Sequence, residues 1–139
     1  MKETDKKALI NAALSALGNA YAPYSKFKVA AAVLTASGRV FTGVNVENAS
    51  YPAGICAERN AVSHAVAEGE TKLAAIAIVG GADGKVETYC APCGICRQVM
   101  REFADPAELT VIVAISEDDY KEYSLEELLP ESFGPEFLI

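Results

Sequence analysis

The sequence predicts a single α/β domain, on the basis of its length, its apolar content and the order of its periodic segments. The chain has 139 residues, of which 51% are hydrophobic and 22% charged, so it has the length of one domain and enough apolar surface to bury a core. Helical and strand-like segments follow one another without a linker, a repeat or a low-complexity tract. We therefore expect one continuous domain over residues 1–139.

The first part of the chain predicts a helix followed by a hairpin. Thr4 is a predicted N-cap for a helix over residues 4–20, because apolar residues follow it at helical spacing. The β-branched and alanine-rich runs over residues 27–34 and 40–46 flank an Ala-Ser-Gly segment with turn chemistry. These two runs are therefore expected to pair as antiparallel strands.

The middle of the chain predicts a loop, a second helix and a buried strand. A loop is expected over residues 48–55, and good helix formers over residues 56–68 predict a helix that stops at Gly69. The continuous apolar run over residues 73–79 is closed by two glycines. Such a run is typical of a strand that is buried on both faces of a sheet.

The last part of the chain predicts a third helix over residues 93–103, entered through Pro92, and a buried strand over residues 109–115. Only about four residues separate this strand from a possible strand over residues 120–123, whereas a parallel crossover needs about a dozen. We therefore expect these two strands to pair antiparallel. A short helix over residues 125–129 and an apolar tail over residues 132–139 complete the prediction.

The charge of the chain argues against several classes of partner. Twelve Lys and Arg residues against nineteen Asp and Glu residues give a net charge of −7 at pH 7, which repels nucleic acid and anionic membrane surfaces. The longest purely apolar run is far shorter than the ~20 residues that cross a bilayer. The polar segment over residues 1–7 does not resemble a secretory signal. These observations predict a cytoplasmic protein without a membrane or nucleic-acid partner.

Three cysteines have the arrangement of a metal site. Cys93 and Cys96 form a C-x-x-C in the first turn of a predicted helix, so both sulfurs point to one side. Cys56 begins the preceding predicted helix, and helix N-termini favour thiolates. Two helix starts that meet around one ion would offer three thiolates, which suits tetrahedral zinc.

The cysteine spacing leaves other interpretations open. A thioredoxin-like redox pair would leave Cys56 and Cys90 unexplained, and four buried cysteines without a metal are a further alternative. The strongest rival is a closed structural zinc site with Cys90 as its fourth ligand. Glu58 favours catalysis over this rival, because a carboxylate two residues after Cys56 is placed to move the proton of a water in an open fourth position.

A sequence motif surrounds these cysteines. Cys56-Ala57-Glu58 and Pro92-Cys93-Gly94-Ile95-Cys96 fit the pattern C/H-x-E followed by P-C-x-x-C of zinc nucleoside and nucleobase deaminases. The neighbouring segments resemble the small homotetrameric cytidine deaminases, from about residue 5 to Pro135; they are residues 23–27, 45–52, 54–59 and 96–103. The resemblance implies a three-layer α/β/α cytidine-deaminase-like fold, with a mixed five-stranded sheet and helices on both faces.

The resemblance also implies an activity and a cofactor. The reaction would be hydrolytic deamination of cytidine and 2'-deoxycytidine to uridine and 2'-deoxyuridine plus ammonia, in pyrimidine salvage. One Zn²⁺ per subunit would be held by Cys56, Cys93 and Cys96. Glu58 would take a proton from the zinc-bound water, give it to N3 of the pyrimidine and pass a further proton to the departing ammonia.

Substrate contacts are implied by the same resemblance. Asn45 and Glu47 match the ribose-binding pair of the family, and Phe27 matches the ring that packs on the pyrimidine. The backbone of Ala57 matches a position that contacts the base. Arg59 matches a position that hydrogen-bonds the ligand sulfurs, where its charge would offset that of three thiolates.

The resemblance implies that subunits share their active sites. The position of Phe133 reaches the active site of a neighbouring subunit in the family, and Tyr51 lies near that interface. The tail that contains Phe133 is apolar enough to need cover from its own domain or from another subunit. We therefore expect a homotetramer whose small-molecule substrate is a nucleoside.

Three other functions compete with this interpretation. A related deaminase that acts on another cytosine-bearing compound, such as blasticidin S, would lack the pattern of residues 45–50 that this chain has. A non-catalytic structural zinc module would not need Glu58. An editing deaminase acting on RNA or DNA is disfavoured by the net charge of −7 and by cysteine rather than histidine at position 56, although the total charge leaves room for a local basic patch.

Overall fold

A computed structural model describes residues 1–139 of the chain. Its helices are α1 (Glu3–Ala16), α2 (Ala57–Ala67), α3 (Gly94–Glu102) and α4 (Leu125–Leu128). Its strands are β1 (Phe27–Thr35), β2 (Val40–Val44), β3 (Leu73–Ala82), β4 (Thr110–Ser116) and β5 (Asp119–Ser124). None of the helices combines the length and the apolar character that crossing a membrane requires.

The strands form one mixed five-stranded sheet in the order β2-β1-β3-β4-β5. β3 and β4 pair in parallel, and the other three neighbouring pairs are antiparallel. The β1–β2 hairpin is confirmed, with Gly38 in its turn at a φ of 95°, a value that favours glycine. The antiparallel pairing of β4 and β5 is confirmed as well, and it follows from their short connection.

The helices cover both faces of the sheet, so the chain has the expected three layers. One apolar cluster joins α1 to one face through Leu9, Ile10 and Ala13. The other cluster joins α2 and α3 to the opposite face through residues such as Val62 and Met100. Alternate residues of β1 and β3 contribute to the two clusters, which is why the apolar run of β3 is continuous.

The direction of the strands decides where α2 and α3 begin. β2 and β3 both run antiparallel to β1, so they run in the same direction and end at the same edge of the sheet. α2 follows β2 along the chain and α3 follows β3. Because both helices pack on the same face, their N-termini meet at this edge.

Two sequence predictions of element ends were wrong. α1 begins at Glu3 with Lys2 as its N-cap, so Thr4 lies within the first turn and does not cap the helix. No side chain caps this helix, and the acidic residues of its first turn, Glu3 and Asp5, stabilise the N-terminus by interacting with the helix dipole. β3 continues through Gly80 and Gly81, which were expected to close it, because both glycines pair with β1.

Candidate metal centre and active site

Three cysteine thiols meet where α2 and α3 begin. Cys56 is the N-cap of α2, Cys93 is the N-cap of α3, and Cys96 lies in the first turn of α3. The Sγ atoms of Cys56 and Cys93 are 3.9 Å apart, and those of Cys93 and Cys96 are 3.3 Å apart. All three sulfurs lie within 4.8 Å of one another. The structure thus brings together the three cysteines that the sequence analysis selected.

The spacing of these sulfurs fits a zinc ion. Tetrahedral coordination with Zn–S bonds of about 2.3 Å separates two sulfurs by about 3.8 Å. The observed separations of 3.3 and 3.9 Å lie on either side of this value. Cys90 lies outside the cluster, so the chain offers three thiols at this point and not four. A three-thiol cluster is a donor set with one open position in a tetrahedral site.

Two of the clustered thiols, those of Cys96 and Cys93, have pKa values shifted in opposite directions. Burial raises the pKa of Cys96, and the nearby negative charge of Glu58 adds to the effect. Burial acts in the same direction on Cys93, but hydrogen bonds from the backbone and thiol of Cys96 and from the Cys56 thiol outweigh it and lower the pKa of Cys93. Outside the cluster, burial raises the pKa of Cys90 to about 11, so this side chain remains a neutral thiol near pH 7.

Glu58 places a buried carboxyl group beside the cluster. It lies in the first turn of α2, and only 5% of it is exposed. Burial raises the pKa of Glu58. Three smaller effects oppose this change: a hydrogen bond from the backbone N–H of Glu58, a hydrogen bond from the Cys96 thiol, and the positive charge of Arg59. The raised pKa makes this carboxylate a stronger base than that of an exposed glutamate.

Arg59 supplies a positive charge beside the cluster. Its Nη2 lies 3.9 Å from the Sγ of Cys56, and this contact raises the pKa of the guanidinium. Its Nε is buried and has no hydrogen-bond partner within the chain. A cationic donor group at this point is what a site rich in thiolates needs to balance its charge.

A cleft of about 430 Å³ opens onto the cluster. Of the predicted site residues, Asn45, Glu47, Tyr51, Cys56, Ala57, Glu58, Arg59 and Cys93 line it. Cys90, the fourth ligand of the rival structural zinc site, also lines the cleft. Five lining residues belong to neither prediction, namely Val29, Val46, Gly54, Ile55 and Ala91. Most of these are apolar or small neighbours of the motif residues, and no pattern in the sequence separates them from core positions. A second cleft of about 400 Å³ adjoins the first and shares Glu47, Tyr51 and Gly54 with it.

Asn45 and Glu47 are held rigidly at this cleft. The side-chain amide of Asn45 donates to the carbonyl of Phe27 at 2.8 Å and accepts from the N–H of Val29 at 2.9 Å. One carboxylate oxygen of Glu47 accepts from the backbone N–H groups of Tyr24 and Ser25, at 3.0 and 3.1 Å. The Ser25 hydroxyl donates to the other oxygen, and these hydrogen bonds lower the pKa of Glu47.

The aromatic residues expected at the site are not all brought together within one chain. Tyr51 lines both clefts, and its ring centroid lies 6.2 Å from that of Tyr24. Phe27 begins β1 and contributes to neither cleft. Phe133 also lies outside both clefts and stacks on Phe137, with ring centroids 5.2 Å apart.

The chain is similar in sequence to known cytidine deaminases. Residues 3–113 match the family described as the cytidine and deoxycytidylate deaminase zinc-binding region. A cytidine deaminase of Halalkalibacterium halodurans is 43% identical over 132 residues, which cover 95% of this chain and 96% of the relative. A cytidine deaminase of Mycobacterium tuberculosis is 40% identical and is matched over 96% of this chain and 93% of its own length.

Solved structures show the same likeness in three dimensions. The crystal structure of cytidine deaminase from Burkholderia pseudomallei has a TM-score of 0.81 and 48% identity, covering 91% of this chain and 97% of that one. The crystal structure of the Mycobacterium tuberculosis enzyme has a TM-score of 0.78 and 40% identity, covering 94% and 98%. The sequence match and the fold match each cover most of the chain. The chain therefore belongs to the cytidine and deoxycytidylate deaminase family.

Proposed function

We propose that this chain, a single deaminase domain over residues 1–139, is a zinc-dependent cytidine deaminase of pyrimidine salvage. It hydrolyses cytidine and 2'-deoxycytidine to uridine and 2'-deoxyuridine plus ammonia. The observation that carries the proposal is the buried carboxyl group of Glu58 beside a three-thiol cluster at the end of a cleft. A structural metal site has no use for either the open fourth position or the carboxyl group.

Cys56, Cys93 and Cys96 hold one zinc ion per subunit in this proposal. Their sulfur spacing and the nearby guanidinium of Arg59 support this assignment. When bound, zinc is a Lewis acid that makes water acidic enough to act as a nucleophile near neutral pH. Arg59 donates to the Cys56 sulfur and so reduces the negative charge that three thiolates place around the metal.

Glu58 moves the protons of the reaction. In hydrolytic deamination, water adds at C4 of cytosine, N3 gains a proton, and the amino group departs as ammonia. The Glu58 carboxylate accepts a proton from the attacking water and delivers it to N3. It then takes the remaining proton from the new C4 hydroxyl and transfers it to the amino nitrogen, so that the C4=O bond forms as the C4–N bond breaks and ammonia departs. The raised pKa of Glu58 makes its carboxylate a stronger base than that of an exposed glutamate, which favours uptake of the proton from water.

Asn45 and Glu47 bind the sugar of the substrate. After their contacts within the chain, Asn45 retains one amide N–H, and the Glu47 oxygen bound to Ser25 retains an acceptor position. Together they present one donor and one acceptor in a fixed arrangement to a ribose hydroxyl. The backbone of Ala57 contacts the base, and Phe27 packs against the pyrimidine ring.

Neighbouring subunits of a homotetramer complete the site in this proposal. Phe133, Phe137 and Leu138 are 56, 63 and 76% exposed, which is unusual for a group of large apolar side chains. Phe133 enters the cleft of a neighbouring subunit, and Tyr51 lies beside that interface. All four cysteines are free thiols, which suits a reducing compartment, so we place the enzyme in the cytoplasm.

The proposal is tested by conversion of cytidine and deoxycytidine by the purified, zinc-loaded protein. Glu58→Gln is expected to keep its zinc, measured by metal analysis, and to lose the activity. Glu68→Gln is the matched control, because it makes the same chemical change at the exposed C-terminal end of α2 and is expected to remain active. If the wild-type protein binds zinc but deaminates neither nucleoside, the proposed substrate is wrong.

The number of metal ligands is tested separately. Cys90→Ser is expected to bind one zinc ion per subunit like the wild type, because the Cys90 thiol is outside the cluster. Cys96→Ser is expected to lose most of its zinc. Loss of zinc from Cys90→Ser would instead indicate a closed site with four cysteine ligands, and so contradict a catalytic centre with an open position.

A further inference from the structure

Arg101 is a buried charged residue near the C-terminal end of α3, the helix whose N-cap is Cys93. Only 7% of it is exposed. Its Nε donates to the hydroxyl of Ser132 at 2.8 Å, and its Nη2 forms an ion pair with the carboxylate of Glu136. Both partners belong to the C-terminal tail, here residues 132–139. Arg101 therefore joins α3 to the tail on both sides of Phe133.

Gly134 lets the tail pass directly over the Arg101 guanidinium. A Cβ atom at this position would overlap with the Cζ, Nη1 and Nη2 atoms of Arg101. The backbone of Gly134 is extended, at a φ of −148°, so its own conformation does not require glycine. The reason for glycine here is thus the close approach of the tail to the guanidinium.

Other side chains of α3 hold the segments next to this contact. The Gln98 side-chain amide donates to the carbonyl of Phe133 at 2.9 Å. Arg97 donates to the carbonyls of Leu128 and Pro92, at 2.6 and 2.8 Å. One helix therefore carries two of the clustered cysteines, at its N-cap and in its first turn, and holds the backbone around Phe133 through side chains farther along it.

The ring of Phe133 is not buried against α3 and is largely exposed. It is 56% exposed and is stacked only on the exposed ring of Phe137. A large exposed ring on a rigidly held backbone is suited to enter a site outside its own chain. The placement of the Phe133 ring depends on the buried guanidinium of Arg101. A buried charge that loses its partners is costly, so the guanidinium favours the one tail conformation in which Ser132 and Glu136 contact it.

We propose that Arg101 is a positioning residue that sets Phe133 for substrate binding in the active site of a neighbouring subunit. The inference deepens the proposed function and rests on the place it gives to Phe133. Arg101 does not touch substrate or zinc. It acts through the tail, so its loss raises the KM for cytidine more than it lowers kcat.

Two variants remove the contact from opposite sides. Arg101→Met removes the guanidinium, and Gly134→Ala displaces it while keeping every polar side chain. Each is expected to lower kcat/KM by roughly 10- to 100-fold, mainly through KM, because misplacing a binding group by about 1 Å has effects of this size. The double variant is expected to be no worse than Arg101→Met, since the added methyl group then meets no guanidinium. Arg39→Met, at an exposed arginine outside both clefts, is the control.

Mixed tetramers test whether the effect crosses the subunit boundary. Arg101→Met subunits keep Glu58 but carry a displaced tail, whereas Glu58→Gln subunits carry an intact tail. Co-expression of the two with distinct affinity tags and purification over both columns yields mixed assemblies. At equal random mixing, about a quarter of the sites combine a functional Glu58 with an intact neighbouring tail, so activity with wild-type KM is expected to return.

The outcomes separate the inference from the proposed function. A wild-type protein without deaminase activity would refute the function itself. An active wild type together with an unchanged KM in Arg101→Met and Gly134→Ala would refute the positioning role. Mixed tetramers no more active than the two parents would show that the tail does not act on a neighbour. Loss of zinc or of assembly in both variants would assign Arg101 to stability instead, and would also overturn the inference.

Discussion

Replacing Gly43 by alanine tests how closely β2 approaches α2, the helix that begins at the proposed zinc ligand Cys56. Gly43 lies within β2, directly beneath the first turns of α2. An added Cβ would overlap with the backbone N of Ala61, and it would lie 2.7 Å from the carbonyl oxygen of Ala57 and 2.8 Å from the Cα of Ala61. All of these are backbone atoms of the helix, so no side-chain rotation can relieve the contact.

The size of the effect follows from these distances. Ordinary contact begins at 3.4 Å, so α2 has to move away from β2 by about 0.7 Å or more. Overpacking of a core by one methyl group costs roughly 1–3 kcal/mol, and the loss of glycine flexibility in the unfolded chain returns about 0.4–1 kcal/mol. Because the clash is with backbone, we expect a net loss of about 2 kcal/mol in the free energy of unfolding, or about 8 °C in Tm.

The assay is thermal unfolding at one fixed protein concentration, since the stability of an oligomer depends on concentration. Gly18→Ala is the control, because a Cβ at Gly18 meets no atom within 4 Å and its Tm is expected to stay unchanged or rise slightly. The displaced helix also carries Glu58, so kcat/KM of Gly43→Ala is expected to fall about tenfold or more. Equal stability and activity of the two variants would refute the argument that close packing of β2 places α2.

Three further predictions concern the metal, the sugar-binding carboxylate and the core. Chelation of zinc is expected to abolish activity and lower Tm, with both restored by added zinc, because metal bound only by the folded state stabilises it; activity that survives complete removal of zinc would contradict the metal assignment. The pKa of Glu47 is lowered by hydrogen bonds from Ser25 and Tyr24, so its charged contacts are present above the pKa of the unfolded chain and are lost as pH falls through the lower folded value. KM for cytidine is therefore expected to rise only in acid, and Ser25→Ala to move this rise to higher pH; a superimposable pH profile would exclude control by Ser25. Leu9→Ala, at a buried position of α1, is expected to cost about 2–5 kcal/mol by denaturant unfolding while KM stays unchanged, because α1 packs on the sheet face opposite α2 and α3; a raised KM would show that the two faces are coupled.

Most of the secondary structure could be predicted because local periodicity reports burial. The strand over residues 73–79 was identifiable from its apolar run, and the antiparallel pairing of β4 and β5 from the length of their connection. The wrong predictions concern the ends of helices and strands, where the residue preferences of the local sequence compete with hydrogen bonding to a neighbouring strand. β3 continues through Gly80 and Gly81 because β1 offers backbone partners there, which no pattern near the glycines reveals.

The candidate site was predictable to the extent that its chemistry lies in short motifs. Cys56 and Glu58 belong to one short motif, and Cys93 and Cys96 belong to another. The residue types in the two motifs indicate a metal site with a carboxyl group. Cys90 shows the limit, because its spacing of three from Cys93 equals that of Cys93 from Cys96. Only the backbone path before α3, which leaves Cys90 outside the cluster, separates it from the other thiols.

The sequence by itself therefore determined the α/β fold class and the group of cysteines, with a neighbouring carboxyl group, that contains the metal site, since these depend on local periodicity and on residue chemistry. Tertiary structure alone decided that Cys56 meets Cys93, because the two helix starts coincide only when β2 and β3 run in the same direction on either side of β1. It also decided that Arg101 lies under the tail. Contacts between residues 101 and 132–136 arise from the packing of distant segments, and burial of a charge at such a contact leaves no mark on the sequence around it.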